Sequence, residues 1–194
     1  MRKKLLLSIF VSFIFILTLQ AQEKGTSDIS ANIGFGTSTE LSNLFSDILT
    51  SGFTGGQISA SEIKAEASFG LTYRYAVANR WMVHADAFYQ KMSQDIYVGG
   101  VKDDELDYTY ITIGLGTDYR YISGPIFQMY SGISVAYTSE NIDHSGSYNS
   151  PDGDGFVNYQ INAVGFRVGK KLAGFAELGY GYKGIFNAGV SYQF

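Results

Sequence analysis

Apolar and polar residues alternate with a period of two along most of the chain, which predicts strands with two chemically different faces. The longest run sets Ile63, Ala65, Ala67, Phe69, Leu71, Tyr73 and Tyr75 against Glu62, Lys64, Glu66, Ser68, Gly70, Thr72 and Arg74. Before it, residues 27–36 place Ile29, Ala31, Ile33 and Phe35 opposite Asp28, Ser30, Asn32, Gly34 and Gly36. After it, residues 81–90 oppose Trp81, Val83, Ala85, Ala87 and Tyr89 to Met82, His84, Asp86, Phe88 and Gln90. Residues 108–121 and 127–138 repeat the pattern, with Ile111, Ile113, Leu115, Ile133 and Val135 on the apolar side. Residues 156–170 lose the phase: Tyr159, Ile161 and Ala163 fit one register, but Val164, Phe166 and Val168 fit the other. A bulge near Ala163 or Val164 reconciles them, and the alternative turns Tyr159 and Ile161 inward. A seventh strand sets Ala176, Leu178, Tyr180 and Tyr182 against Glu177, Gly179 and Gly181, and an eighth occupies residues 186–194.

The connections between these eight strands run long, short, long, short, long, short, with a tight hairpin at Lys183-Gly184. The long ones are residues 37–60, 92–105 and 140–155. In the first, Leu41, Leu44, Phe45, Ile48 and Leu49 fall at helical spacing behind a Thr37…Glu40 capping pattern, which predicts a short amphipathic helix over 40–49. Short turns at one end and long loops at the other match a membrane barrel whose termini lie on the periplasmic side.

The last strand carries the most pointed signal. Phe186, Ala188, Val190, Tyr192 and Phe194 alternate with Asn187, Gly189, Ser191 and Gln193, and the chain closes on phenylalanine. Large aromatics on one face and small groups on the other suit a strand whose outer solvent is lipid. Ala188, Val190, Tyr192 and Phe194 resemble the C-terminal signature of bacterial outer-membrane β-barrels. The chain as a whole resembles the small eight-stranded barrels of the OmpA/OmpX-like, porin-related group. That resemblance implies an all-β, eight-stranded antiparallel up-and-down transmembrane β-barrel, monomeric, seated in outer-membrane lipid and lipopolysaccharide. It also implies delivery by the barrel-assembly machinery through the C-terminal strand. The periplasmic domain of the OmpA type has no counterpart in residues 22–194, so peptidoglycan anchoring is not expected.

Composition sharpens this picture. Twenty-three glycines, 15 tyrosines and 14 phenylalanines against one tryptophan and two prolines fit uninterrupted strands with aromatic girdles. No cysteine is present, which excludes disulfides, thiolate metal sites and cysteine nucleophiles. Arg2, Lys3 and Lys4, an apolar run over 5–19 and Ala21 form an export signal over residues 1–21, leaving 22–194 as the barrel domain. The formal charge of −4 would become −4 − 3 = −7 without the leader's three cations, and an acidic chain without a basic tract is not expected to bind nucleic acid.

A lipocalin-like soluble barrel is the rival architecture, since it would turn the same charged face to water. In the membrane barrel that face fills the lumen, where charges must neutralise each other. The expected lumen network is Lys64, Glu66, Arg74, His84, Asp86, Asp118, Arg120 and Glu177, with Arg167 added when Val168 faces outward. Glycines 70, 114, 116, 132, 179, 181 and 189 share that face, which favours a crowded interior over a wetted surface. Eight strands enclose only enough room for side chains. The expected role is therefore a structural barrel whose external loops contact the surroundings or a partner, without catalysis, cofactor or metal. A narrow ion or small-solute channel is the alternative, and a lipid-modifying hydrolase stands behind it. The hydrolase reading has only His84, beside Asp86, and His144, between Asp143 and Ser145, to work with. Asp152-Gly153-Asp154-Gly155 lacks the distal glutamate of a calcium loop and reads as a turn. Asp103, Asp104, Glu105 and Asp107 read as a solvated acidic loop.

Overall fold

A computed structural model describes residues 24–42, 58–60, 64–98, 101–144 and 154–194. The strands are β1 (Ser27–Phe35), β2 (Ile58–Ala60), β3 (Lys64–Ala65), β4 (Ser68–Ala78), β5 (Trp81–Val98), β6 (Val101–Ser123), β7 (Phe127–His144), β8 (Gly155–Gly169), β9 (Leu172–Gly181) and β10 (Phe186–Gln193). Every pairing is antiparallel. The ring runs β5-β4-β1-β10-β9-β8-β7-β6 and returns to β5, so eight strands close on themselves. Closure leaves the barrel without a free edge. The first and last strands complete it: the Ser27 amide donates to the Phe194 carbonyl at 2.8 Å, and the Phe194 amide to Ser27 at 2.9 Å. The two short strands β2 and β3 pair only with the upper part of β5.

The two faces of the wall are inverted relative to a soluble protein. Leu115 and Val135 are each 66% exposed, whereas Arg74 is 2% and Asp118 1% exposed. Outside, a band holding Leu71, Ile113, Leu115, Ile133, Val135, Ile161 and Val190 lies between two sets of aromatics. Toward the short-turn end these include Trp81 against Tyr119 (ring centroids 5.4 Å apart) and Tyr192 against Phe194 (6.0 Å). Toward the long-loop end Tyr159 lies 6.1 Å from Tyr180. An apolar belt between aromatic girdles is the surface a bilayer requires, and it removes the lipocalin-like alternative.

Strand β8 carries the bulge. Its pairing with β9 jumps from Asn162 to Val164, and its pairing with β7 from Asn162 to Gly165. Tyr159, Ile161 and Val168 are all exposed while Gln160, Asn162 and Arg167 are buried. One extra residue thus holds both halves of the strand in phase with the lumen, and the reading that turned Tyr159 and Ile161 inward does not hold.

Three expectations need correction. Residues 92–105 are not a loop: β5 and β6 stay paired out to Val98 and Val101, leaving only residues 99 and 100 between them. Gly99-Gly100 between β-branched residues is a hairpin signal, and the polar residues beside it belong to the two strands. The run 62–75 is interrupted at residues 66–67, which belong to no strand. Tyr182 points into the lumen rather than outward. Gly181, at φ 143°, takes a backbone that a side chain would strain, and residues 182–184 fold inward behind it, with the Gly184 amide donating to the Gly181 carbonyl at 3.1 Å.

The predicted helix begins as expected. Residues 38–42 are helical, the Thr37 hydroxyl accepts from the Glu40 amide at 3.3 Å, and the Leu41 amide donates to the Thr37 carbonyl at 3.1 Å. The rest of the amphipathic segment lies outside the described residues, as do the leader, Ser145 and Asp152-Gly153.

Candidate functional site: the lumen charge network

Inward positions of the strands bring charged side chains from six strands and one loop into one column. Among the described residues, those buried are Arg74, Arg120, Arg167 and Lys183 against Asp28, Asp86, Asp118 and Glu177, with His84 between them. Four cations face four carboxylates, so the column is neutral with His84 uncharged. Neutrality is what a desolvated interior demands, because breaking a buried pair strands a charge.

Arg74 is the hub. Its Nε donates to Asp118 Oδ2 at 3.0 Å, Nη2 to Glu177 Oε1 at 2.9 Å and Nη1 to Ser30 Oγ at 2.9 Å, with Asp28 Oδ1 3.8 Å away. Its planar fork reaches carboxylates on three strands at once, which an ammonium could not. Glu177 is held from its other sides by the Tyr130 hydroxyl at 2.7 Å and by Asn187 Nδ2 at 2.7 Å. Gly132 makes room for the hub: a Cβ there would collide with Asp118 and with the Thr117 carbonyl.

A second cluster sits around Asp86. It accepts from Lys183 Nζ at 2.9 Å, the Thr72 hydroxyl at 2.6 Å and the Tyr182 hydroxyl at 2.5 Å. His84 bridges the two clusters, with Nδ1 3.0 Å from Asp86 Oδ2 and Nε2 3.6 Å from Asp118 Oδ1. Lys183 also lies over the Phe88 and Tyr182 rings, 5.7 and 5.8 Å from their centroids.

Toward the short-turn end Arg167 Nε approaches Asp28 Oδ2 at 3.2 Å and donates to Ser191 Oγ at 2.8 Å. Arg120 donates to Gln128 and stacks 5.4 Å from the Tyr130 ring centroid. Below them Ala76, Met82 and Ala173 are buried together with Ser27 and Ser123, so small and apolar side chains share that end of the lumen. At the other end Phe88, Gln90, Thr112 and Tyr110 fill the cross-section. There the Thr37 hydroxyl donates to Gln90 Oε1 at 2.9 Å and the Ser38 hydroxyl to Asn158 Oδ1 at 3.2 Å, tying the helical turn across the mouth.

Of the nine residues expected in the network, Arg74, His84, Asp86, Asp118, Arg120, Arg167 and Glu177 are brought together. Glu66 is not: it is exposed on the interrupted stretch after β3, where the alternation that placed it inward has lapsed. Lys64 pairs through its backbone with Ser93 on β5 above the barrel, and its side chain lies outside the described residues. In their stead stand Asp28 and Lys183. Asp28 sits on the polar side of the first strand, which was its available signal. Lys183 has none, because it lies in what reads as a turn. His84 is 4% exposed between two aspartates, and the side chain of His144 lies outside the described residues.

Among solved structures the chain is similar to OprG, an outer membrane protein from Pseudomonas aeruginosa. The TM-score is 0.53 at 16% identity, over 90% of this chain and 98% of that one. It is also similar to Ail, the attachment invasion locus protein of Yersinia pestis, solved in complex with the heparin analogue sucrose octasulfate. There the TM-score is 0.49 at 14% identity, over 88% of this chain and 99% of that one. No family model and no curated protein matches the chain. With its closed ring of eight antiparallel strands, charged interior and apolar belt, the chain has the fold of the small eight-stranded outer-membrane β-barrels.

Proposed function

We propose that the protein is an exported structural barrel of a bacterial outer membrane, cleaved after Ala21, whose lumen is closed and whose long hairpins meet the surroundings. The observation that carries this reading is the neutral lumen column of four cations and four carboxylates, each buried. An ion entering it would have to displace contacts such as Arg74–Glu177 and Lys183–Asp86, both at 2.9 Å. Toward the short-turn end Ala76, Met82 and Ala173 are buried beside Ser27, Ser123 and Gln128, so side chains stand where a conducting pore needs a wetted exit. The outward hairpins support the contact role. Strand β6, at 23 residues, runs to roughly 75 Å at about 3.3 Å per residue, whereas spanning a bilayer takes only about 9–11 residues. The C-terminal strand carrying Ala188, Val190, Tyr192 and Phe194 serves as the handle for barrel assembly.

Planar-bilayer recording on the purified barrel tests this. The structural reading predicts no stable unitary current above the leak of the protein-free bilayer. Reproducible steps of constant amplitude would replace it with the narrow-channel reading.

A further inference from the structure

Three of the four lumen cations, Arg74, Arg120 and Arg167, stand on strands and cannot leave the column without breaking the wall. Lys183 differs: it lies in the connection between β9 and β10, yet it is fully buried. Glycines with positive φ flank it, Gly181 at 143° and Gly184 at 99°, and such residues absorb the backbone rotation of a hinge without a side-chain clash. The short tongue between them, Tyr182-Lys183, enters a bay left open in the surrounding wall. A Cβ at Gly34 would strike the Lys183 carbonyl, one at Gly114 the Tyr182 hydroxyl and one at Gly70 the Phe88 ring. Inside the bay the ammonium meets a carboxylate, Asp86 Oδ1 at 2.9 Å, and the Phe88 and Tyr182 rings, the combination that recognises ammonium ligands. Between the tongue and the helical turn at the mouth a void of about 10 Å³ remains, walled by Thr39, Gln90, Phe88 and Tyr182.

We propose that this bay at the head of the lumen is a binding site for a primary alkylammonium group. Lys183 is its internal occupant, an autoinhibitory contact released when the tongue turns out on Gly181 and Gly184. The recognising groups belong to the wall and stay behind when the tongue leaves. Asp86 on β5 supplies the charge, the Thr72 hydroxyl on β4 holds that carboxylate at 2.6 Å, and Phe88 supplies a ring face. Charge balance sets the class of ligand. With Lys183 withdrawn, three cations face four carboxylates, so the emptied bay attracts one positive charge and disfavours anions. Shape narrows it further, because the bay holds lysine's slender four-carbon stem and compact ammonium, and a planar guanidinium is broader. The inference rests on the closed-lumen reading above, since an internal occupant matters only where water does not fill the barrel.

The test uses the full chain, folded into lipid vesicles, and n-propylammonium, which replaces the atoms lost in Lys183→Ala. That substitution should lower the urea midpoint of unfolding, and added n-propylammonium should restore about half of the loss, because a ligand held only by the folded state stabilises it. The neutral analogue n-propanol should restore nothing, and neither amine nor alcohol should act once Asp86→Asn is combined with Lys183→Ala. Lys170→Ala, at an exposed lysine on the opposite end, should respond to neither. Absence of recovery with n-propylammonium, or equal recovery with n-propanol, overturns the site. A second measurement keeps Lys183 in place. Ser134, whose hydroxyl lies 2.8 Å from that of Tyr182, is changed to cysteine in this cysteine-free chain and exposed to aminoethyl methanethiosulfonate, a thiol reagent bearing a primary ammonium. Ser134→Cys should react about tenfold faster when Lys183→Ala is added, because the tongue's anchor then no longer opposes local opening. Equal rates overturn the assignment of Lys183 as the occupant. Steady currents from the unmodified barrel would instead strike the closed-lumen reading, separately from either result.

Discussion

At the scale of single residues the fold turns on Arg74, which faces three of the four lumen carboxylates, Asp28, Asp118 and Glu177. Removing it leaves Asp118 and Glu177 buried without their closest cation. Arg74→Met should therefore destabilise the barrel by about 3–5 kcal/mol, the usual cost of breaking a buried pair by removing one partner. Arg74→Lys should recover only part of the loss, because one ammonium cannot replace a fork that donates to Ser30, Asp118 and Glu177 at once. Urea unfolding in lipid vesicles, followed by the heat-modifiable gel shift, measures both. A midpoint for Arg74→Met equal to that of the unmodified protein would show that the hub carries no stability. Most of this network was legible from period two alone, since inward facing follows from strand phase. What could not be read were the positions where the phase lapses. Glu66 falls on the break after β3, and Lys183 enters from residues 182–184, whose inward fold depends on the backbone at Gly181.

At the scale of elements, the bulge in β8 makes a prediction that inverts the usual expectation for deletions. Two residues, Ala163 and Val164, stand where each neighbouring strand has one. Deleting Ala163 leaves Asn162, Gly165 and Arg167 facing inward and Val164, Phe166 and Val168 outward on an unbroken ladder. That variant should fold with stability within about 1–2 kcal/mol of the parent, the range of most single changes. Deleting Ile113 from the regular part of β6 should instead abolish folding, because a one-residue slip turns every later side chain to the wrong face. Gel-shift assays after refolding into detergent distinguish the two, and failure of both variants would mean that the bulge has a role beyond keeping phase. The length of β5 and β6 was harder to foresee than the bulge. Within the bilayer the apolar belt marks a strand plainly, whereas above it Asp95, Asp103 and Asp104 mark strand and loop alike. Only the Gly99-Gly100 pair between Val98 and Val101 betrayed the hairpin.

At the scale of the whole molecule, the fold requires hydrocarbon to wet the outer wall. Leu115, Val135 and Val190 are more than half exposed, at 66%, 66% and 56%, and bare apolar area of that extent is unstable in water. The chain has no cysteine, so a single one can be introduced and spin-labelled without a background. Leu115→Cys, Val135→Cys, Val190→Cys and, on the hairpin above the belt, Ser93→Cys would each be labelled in the barrel folded into lipid vesicles. Collision with oxygen, which partitions into hydrocarbon, is then compared with collision with a water-soluble nickel complex. Oxygen is expected to dominate at positions 115, 135 and 190 and nickel at 93. Nickel dominating at all four positions would contradict this, and the apolar belt would then face water or another protein surface.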